Sequence, residues 1–196
     1  MPSRILSALF ALACLASSVE AAPRLLDAAE APPLQGWIGF CERQPAECLV
    51  DTGEPESVAL TEEVMELLSA ANRYVNASIR PMRDQDHWGV VDVWGLPDDG
   101  YGDCEDFQLL KRKLLVEAGL PRRALRMTVV IDATGEGHAV LTVRTTRGDL
   151  VLDNQTDEIL PWQATGYRFV QRESARTTGW VFLEREAGPV VTAAAR

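Results

Sequence analysis

A single cysteine stands among three acids in the run Gly102-Asp103-Cys104-Glu105-Asp106, and a helical pattern follows directly after it. A thiol attacks a carbonyl carbon only as the thiolate, and a helix start favours the thiolate because unpaired backbone N–H groups stabilise an anion there. The same N–H groups can donate hydrogen bonds to the oxyanion that forms during acyl transfer. The sequence therefore predicts that Cys104 is a nucleophile at a helix N-terminus.

Two residues further along the chain complete a candidate nucleophilic site. His138 opens a predicted strand after a Gly-containing turn, and Asp153 ends the strand that is expected to pair beside it. At one edge of a sheet, His138 would take the thiol proton while Asp153 fixes the tautomer of the imidazole. Taken singly, each is better explained as a turn residue. Their order and spacing after Cys104 favour a Cys-His-Asp site.

The three acids around Cys104 oppose its ionisation, because nearby negative charges raise the pKa of a thiol. Calcium would supply the missing counter-charge, since it prefers oxygen ligands from clustered carboxylates. Zinc is disfavoured, because the chain has only two histidines. A second explanation needs no metal: Asp103 is a favourable N-cap, and Glu105 and Asp106 complement the helix dipole. On residue types alone the two explanations are equally good.

The helices that position these residues are visible in the hydrophobic pattern. Apolar residues at helical spacing predict one helix from Thr61 to about Ile79 and a second from Cys104 to Ala118, which Gly119 and Pro121 end. The region between them, residues 80–101, is rich in Gly, Pro and Trp and is expected to be a loop.

After the second helix the pattern changes to short alternating or β-branched runs separated by turn residues. These runs predict strands at Leu125–Ile131, His138–Arg144, Leu150–Asp153, Tyr167–Gln171 and Trp180–Leu183. Helices followed by strands indicate an α+β fold. We expect N-terminal helices, one of them starting at the nucleophile, packed on a mostly antiparallel sheet.

The chain is expected to divide into four segments. Residues 1–22 have the charged start, apolar run and small final residues of a secretory signal peptide, and the run is shorter than the ~20 residues that a membrane span needs. Residues 23–35, rich in Ala and Pro, are expected to be a flexible lead-in. Residues 36–186 are long enough for one folded domain. Residues 187–196 are expected to form a disordered tail.

Charge and cysteine usage limit the partners and the compartment. The net charge is −10, and it does not change if residues 1–22 are removed. Such an acidic protein is repelled by nucleic acids and by anionic membranes. In an exported chain, the close pair Cys41 and Cys48 suggests a disulfide and leaves Cys104 free. The alternative for Cys104 is a small buried apolar residue, which is common for free cysteine.

Three runs, supported by shorter matches, carry a family resemblance. The runs are Gly102-Asp103-Cys104-Glu105-Asp106, Gly137-His138-Ala139-Val140-Leu141 and Leu150-Val151-Leu152-Asp153-Asn154, and the shorter matches are Phe40-Cys41 with Cys48, Val75-Asn76 with Ile79, and Asp92 with Trp94 and Pro97. Over about residues 36 to 172, the chain resembles the bacterial transglutaminase-like cysteine proteinases.

The resemblance implies a papain-like or transglutaminase-like fold with Cys104, His138 and Asp153 as the catalytic triad. It also implies calcium dependence, with Asp103 and Glu105 as the metal ligands. The LapG-type members are periplasmic proteases that cleave a giant surface adhesin, which releases cells from a biofilm, and an inner-membrane receptor sequesters them. A periplasmic location, an adhesin substrate and a receptor partner are therefore what the family implies for this chain.

Two other functions remain open. A transglutaminase-type acyltransferase would form the same thioester at Cys104 but pass the acyl group to an amine, which sequence cannot separate from hydrolysis. A non-catalytic, calcium-responsive binding module would keep the fold alone. The intact set of Cys104, His138 and Asp153 speaks against this third function.

The sequence also predicts the surroundings of four residues in the predicted loop. We expect His87 to be solvent-exposed and Trp94 to pack in the core or line the cleft rather than donate to an oxyanion. Asp98 and Asp99 are expected to be ordinary turn residues.

Overall fold

The structure is a computed structural model that describes residues 24–184. The expected signal peptide, residues 1–22, and the expected tail, residues 187–196, lie outside the described residues. Within residues 24–184, no helix has the length and apolar character needed to cross a membrane.

The two helices predicted from the sequence are confirmed. The helices are Gln35–Arg43 (α1), Glu62–Ser78 (α2), Asp84–His87 (α3) and Cys104–Glu117 (α4). Thr61 caps α2, because its hydroxyl accepts a hydrogen bond from the Val64 N–H at 3.2 Å. α1 and α3 are too short to show a clear helical period in the sequence.

The five predicted strands are also confirmed, with ends within two residues of the expectation. The strands are Asp27–Ala31 (β1), Arg80–Pro81 (β2), Tyr101–Gly102 (β3), Leu125–Ile131 (β4), Gly137–Thr145 (β5), Gly148–Leu152 (β6), Leu160–Pro161 (β7), Arg168–Glu173 (β8) and Trp180–Leu183 (β9). β2 and β3 form a small parallel pair. The other seven strands form an antiparallel sheet in the order β1-β9-β8-β4-β5-β6-β7.

The helices cover one face of this sheet, which gives the predicted α+β architecture. α2 packs on α4, and α4 packs on β4 and β5. The main core includes Trp37, Trp94 and Trp180, whose rings meet edge to face with centroids 5.8–5.9 Å apart. Neighbouring side chains of β5 point to opposite faces of the sheet. Leu141 therefore belongs to this main core, and Val140 belongs to a second, smaller cluster on the other face.

One disulfide joins the end of α1 to the short turn that follows it. Cys41 and Cys48 are bonded, with 5.7 Å between their Cα atoms, and Cys104 is the free cysteine of the described residues. The pairing predicted from the sequence is therefore confirmed.

The segment expected to be a flexible lead-in is a strand of the sheet, so that expectation is wrong. β1 pairs with β9, and Leu25 before it is buried. The Asp27 carboxylate lies 3.0 Å from an Arg126 nitrogen and 2.6 Å from an Arg172 nitrogen. The folded domain therefore begins before residue 36, because these two guanidinium groups hold a segment whose composition resembles a linker.

We expect Asp27→Ala to lower the free energy of unfolding by roughly 2 kcal/mol. Both guanidinium groups are buried, but the effect should stay below the ~3–5 kcal/mol of a fully buried pair because Asp27 keeps 33% side-chain exposure. Urea denaturation would measure the change, with Glu30→Ala as the control from an exposed position of the same strand. Equal stability of the two variants would contradict this assignment.

Candidate active site

His138 and Asp153 meet at the edge of the sheet where the sequence places them. His138 is the second residue of β5, and Asp153 follows the last residue of β6. The two strands pair antiparallel, which brings the end of one beside the start of the other. His138 Nε2 lies 2.8 Å from Asp153 Oδ1, and both residues are buried.

Three donors hold the Asp153 carboxylate. Besides His138, the Tyr167 hydroxyl donates to Oδ2 at 2.6 Å and the Gln155 N–H donates to Oδ1 at 3.0 Å. Burial alone would raise the pKa of Asp153, but the hydrogen bond and charge of His138, with the Tyr167 and Gln155 bonds, keep it below its usual 3.8. Asp153 is therefore a fixed anion behind the imidazole.

Tyr167 is a site residue that the sequence reasoning missed. Its hydroxyl binds Asp153, its ring lies edge-on to His138 at 5.8 Å between centroids, and its pKa is raised by burial and by the bond to Asp153. Tyr167 precedes β8, which pairs with β4 and not with the strand before Asp153. No spacing rule in the sequence predicts this contact.

Cys104 is the first residue of α4, as predicted, and its thiol lies beside the β5 backbone. The thiol donates to Glu105 Oε2 at 3.1 Å and accepts a hydrogen bond from the Ala139 N–H. Burial, with the charge and hydrogen bond of Glu105, raises the pKa of Cys104 far above its ordinary value. Among the contacts of residues 24–184 there is no hydrogen bond between this thiol and the His138 ring.

The acids beside Cys104 belong to a larger cluster. Oxygen atoms of Asp84, Asp103 and Asp106 lie within 4.8 Å of one another, and a second group joins Asp103, Cys104 and Glu105. Asp84 starts α3, and its own N–H donates to Asp103 at 3.3 Å. Sequence reasoning missed Asp84 because it lies 19 residues before Asp103, in a helix of four residues.

The cluster holds more negative charge than its surroundings neutralise. Burial, followed by the charge of Asp103, raises the pKa of Glu105 to about 9. Burial is also the main cause that raises the pKa of Asp106 to about 7. Without a cation, burial and the neighbouring carboxylates therefore disfavour the ionisation of both acids.

Two oxygens of the cluster favour a cation. Asp84 Oδ1 and Asp103 Oδ1 are both buried and have no hydrogen-bond partner among the described residues. Buried oxygens without a donor are costly, and a hard cation that prefers carboxylate ligands would satisfy them. The donor set is therefore suited to calcium.

The metal-free explanation of the acids holds at the start of α4, where Asp103 is the N-cap and forms a capping box with Asp106. The Asp106 carboxylate accepts from the Asp103 N–H at 3.2 Å and from the Gly95 N–H at 2.8 Å, so it caps the start of α4 and anchors the preceding loop. Gly102 allows this approach, because a Cβ there would lie 2.7 Å from the Asp106 Cβ. The capping contacts still leave one oxygen of each of Asp84 and Asp103 without a donor among the described residues.

The loop before α4 agrees with two expectations and departs from one. Asp98 and Asp99 lie in a turn, as expected. Trp94 is buried in the core, and its indole N–H donates to Asp92 at 2.9 Å rather than toward the thiol. The expectation of an exposed His87 is wrong, because its side chain is 13% exposed, bonds to Asp99 at 2.8 Å and stacks on Trp88 at 3.9 Å. Asp99 is therefore a partner of His87 as well as a turn residue.

We expect Tyr167→Phe to weaken the hold on Asp153. The variant should raise the pKa of Asp153 and lower the free energy of unfolding by about 1.5 kcal/mol at pH 7, since a hydrogen bond to a charged group is lost. Because the pKa of Asp153 is depressed in the folded state, the difference should be full above pH 3.8 and shrink as pH falls through the folded-state pKa. Denaturation at several pH values would measure it, and a difference independent of pH would contradict the assignment.

Comparisons with known proteins identify the family of this chain. The family model of the bacterial transglutaminase-like cysteine proteinases matches residues 26–187. No curated protein matches the chain significantly.

Solved structures of Legionella pneumophila LapG are similar to this chain. One is 31% identical over 57% of this chain and 64% of LapG, with a TM-score of 0.51. An EGTA-treated form is 29% identical over 62% and 68%, with a TM-score of 0.53, and a calcium-bound form is 28% identical over 65% and 74%, with a TM-score of 0.54. The first match spans less than two thirds of the LapG chain. Together with the family match, these likenesses show that the chain belongs to the bacterial transglutaminase-like cysteine proteinases.

Proposed function

We propose that this protein is an exported, calcium-dependent cysteine endopeptidase with Cys104, His138 and Asp153 as its triad. The observation that carries the proposal is the buried His138–Asp153 pair, whose His138 precedes Ala139, the residue whose N–H contacts the Cys104 thiol at the start of α4. In a chain of a cysteine proteinase family, this arrangement supports peptide hydrolysis through an acyl-thioester.

The geometry supports a defined division of roles. Because His138 Nε2 bonds to Asp153, its Nδ1 is the nitrogen left to take the proton of the thiol. The Cys104 sulfur then attacks the peptide carbonyl carbon, and unpaired N–H groups at the start of α4 stabilise the oxyanion. The protonated His138 gives its proton to the leaving amine, and the acyl group remains on sulfur as a thioester.

Hydrolysis reverses these roles. His138 removes a proton from a water molecule, whose oxygen attacks the thioester carbonyl. The C–S bond breaks, a carboxylic acid is released, and the thiolate recovers its proton from His138. The fixed anion Asp153 stabilises the imidazolium in both halves of the cycle.

Calcium dependence is supported by the acid cluster and by the relatives. Asp103 and Glu105 are the proposed ligands, and Asp84 and Asp106 lie in the same cluster as Asp103. The similar LapG structures include a calcium-bound and an EGTA-treated form. When bound, the ion would supply positive charge that lowers the pKa of Cys104.

Substrate and location follow from the family resemblance and from residues 1–22, whose pattern is typical of a signal peptide. We place the protein in the periplasm, where a large surface adhesin is the proposed substrate and an inner-membrane receptor the proposed regulator. A cleft of about 470 Å³ beside Asp106, with Trp88 and Tyr101 in its lining, is the proposed substrate cleft. None of the three triad residues lines it, so Asp106, two positions after Cys104, is its nearest link to the nucleophile.

The triad is tested with Cys104→Ala and His138→Gln on an adhesin segment or another unfolded protein as substrate. Each variant should lose about 1,000-fold or more of the cleavage rate, because both residues act in the bond-breaking step. Thr134→Ala, in the exposed turn before β5, is the matched control and should cleave as the wild type does.

Full cleavage by Cys104→Ala would rule out the mechanism. A labelled amine in the same assay separates hydrolysis from acyl transfer, because incorporation of the label into the acyl product would identify the acyltransferase.

A further inference from the structure

The nucleophile shares its face of α4 with a buried lysine that the proposed mechanism does not use. Gln108 and Lys111 follow Cys104 by four and seven positions, which places all three on one stripe of the helix. Lys111 is fully buried. Its Nζ has no hydrogen-bond partner in the described part of the chain, and it lies 6.0 Å from the centre of the Phe107 ring.

Three amide side chains of α2 and α4, the helices that pack around Lys111, hold the segment that carries Asp153. Asn76 of α2 donates to the Asp153 carbonyl at 3.0 Å and to Asp157 Oδ1 at 2.9 Å. Asn72 of α2 donates to the Thr156 carbonyl at 3.1 Å, and Gln108 of α4 donates to the Asn154 side chain at 3.3 Å. Residues 153–157 are thus held by N–H groups from both packed helices.

The same amides leave their oxygens free. Asn72 Oδ1, Asn76 Oδ1 and Gln108 Oε1 are buried and lack hydrogen-bond partners within residues 24–184. An ammonium offers three N–H donors and no acceptor, so Lys111 complements three amide oxygens. Four unsatisfied polar atoms in one helix interface are exceptional, because buried polar groups are nearly always paired.

Charge also connects Lys111 to the catalytic segment. The carboxylates of Asp153 and Asp157 are the titratable groups that act on it. Burial lowers the pKa of Lys111 to about 7, and these two carboxylates oppose the fall. Burial therefore disfavours the ammonium form of Lys111, and the carboxylates of Asp153 and Asp157 favour it.

We propose that Lys111 is a positioning residue whose ammonium holds residues 153–157 against α2 and α4, and so fixes Asp153 behind His138. The amide oxygens of Asn72, Asn76 and Gln108 share its N–H donors as side chains and buried water adjust. The catalytic part of this inference rests on the proposed function, because it assumes that Asp153 serves the triad.

The NMR signal of Lys111 can be observed directly, because Lys111 and Lys113 are the only lysines of the sequence. NMR of the full chain with ¹³C-labelled lysine would give one titrating signal for each. In Asp153→Asn, the midpoint of Lys111 should fall by roughly one pH unit, and the signal of the partly exposed Lys113 should not move. An unmoved Lys111 midpoint would overturn the proposal.

The second arm compares Lys111→Met with Lys113→Met. Cleavage rates are expressed per active site, counted with an irreversible thiol reagent, so that a loss of folded protein does not count as a loss of activity. Lys111→Met should lower kcat about tenfold with KM unchanged, because Asp153 is displaced while the substrate cleft is intact. Lys113→Met should match the wild type.

Wild-type kcat per site in Lys111→Met would overturn the proposal even if the NMR midpoint moves. If Lys111→Met does not fold, the NMR arm decides alone. That arm needs no activity, so a failure of the proposed peptidase mechanism would be recognised separately, by cleavage in Cys104→Ala.

Discussion

The contact on which this site depends is the hydrogen bond from the Cys104 thiol to Glu105, because it favours the neutral thiol. A nucleophile must ionise, yet burial and the charge of Glu105 raise the pKa of this thiol. Glu105 is itself buried against Asp103, and its pKa is raised to about 9. The charge of Asp103 therefore opposes the ionisation of Glu105, and the charge of Glu105 opposes that of the thiol. A cation at the buried oxygens of Asp84 and Asp103 would relieve the whole set.

The sheet carries a contrasting pair, next to the Ala139 N–H that contacts the thiol. His138 and Asp153 lie on the sheet, and three donors keep Asp153 charged. α4 connects the two environments, because its first residue is Cys104, the proposed nucleophile, and its body packs on β5. The site thus combines a charge-stabilised base with an acid whose ionisation depends on the state of the cluster. This combination is the physical basis of the proposed calcium dependence.

Local patterns were enough to predict part of this site. The helical period and the acids of the first turn predict Cys104 at a helix start, and the strand pattern predicts that His138 and Asp153 meet. Long-range contacts were not predictable. β1 is held by Arg172, which is 145 residues away in the sequence, and Asp84 reaches the cluster from a four-residue helix. Lys111 was missed because a lysine in a helix is usually exposed, and only the packing of α2 on α4 buries it.

The most direct measurement is the rate at which iodoacetamide alkylates Cys104 at pH 7 with calcium and with EGTA, followed by mass spectrometry of the peptide that contains it. Only the thiolate reacts, so the rate reports its fraction. The account predicts slow alkylation in EGTA and a rate at least about tenfold higher with calcium, because the ion would lower the pKa of the thiol by one unit or more. Equal rates in calcium and EGTA would contradict it.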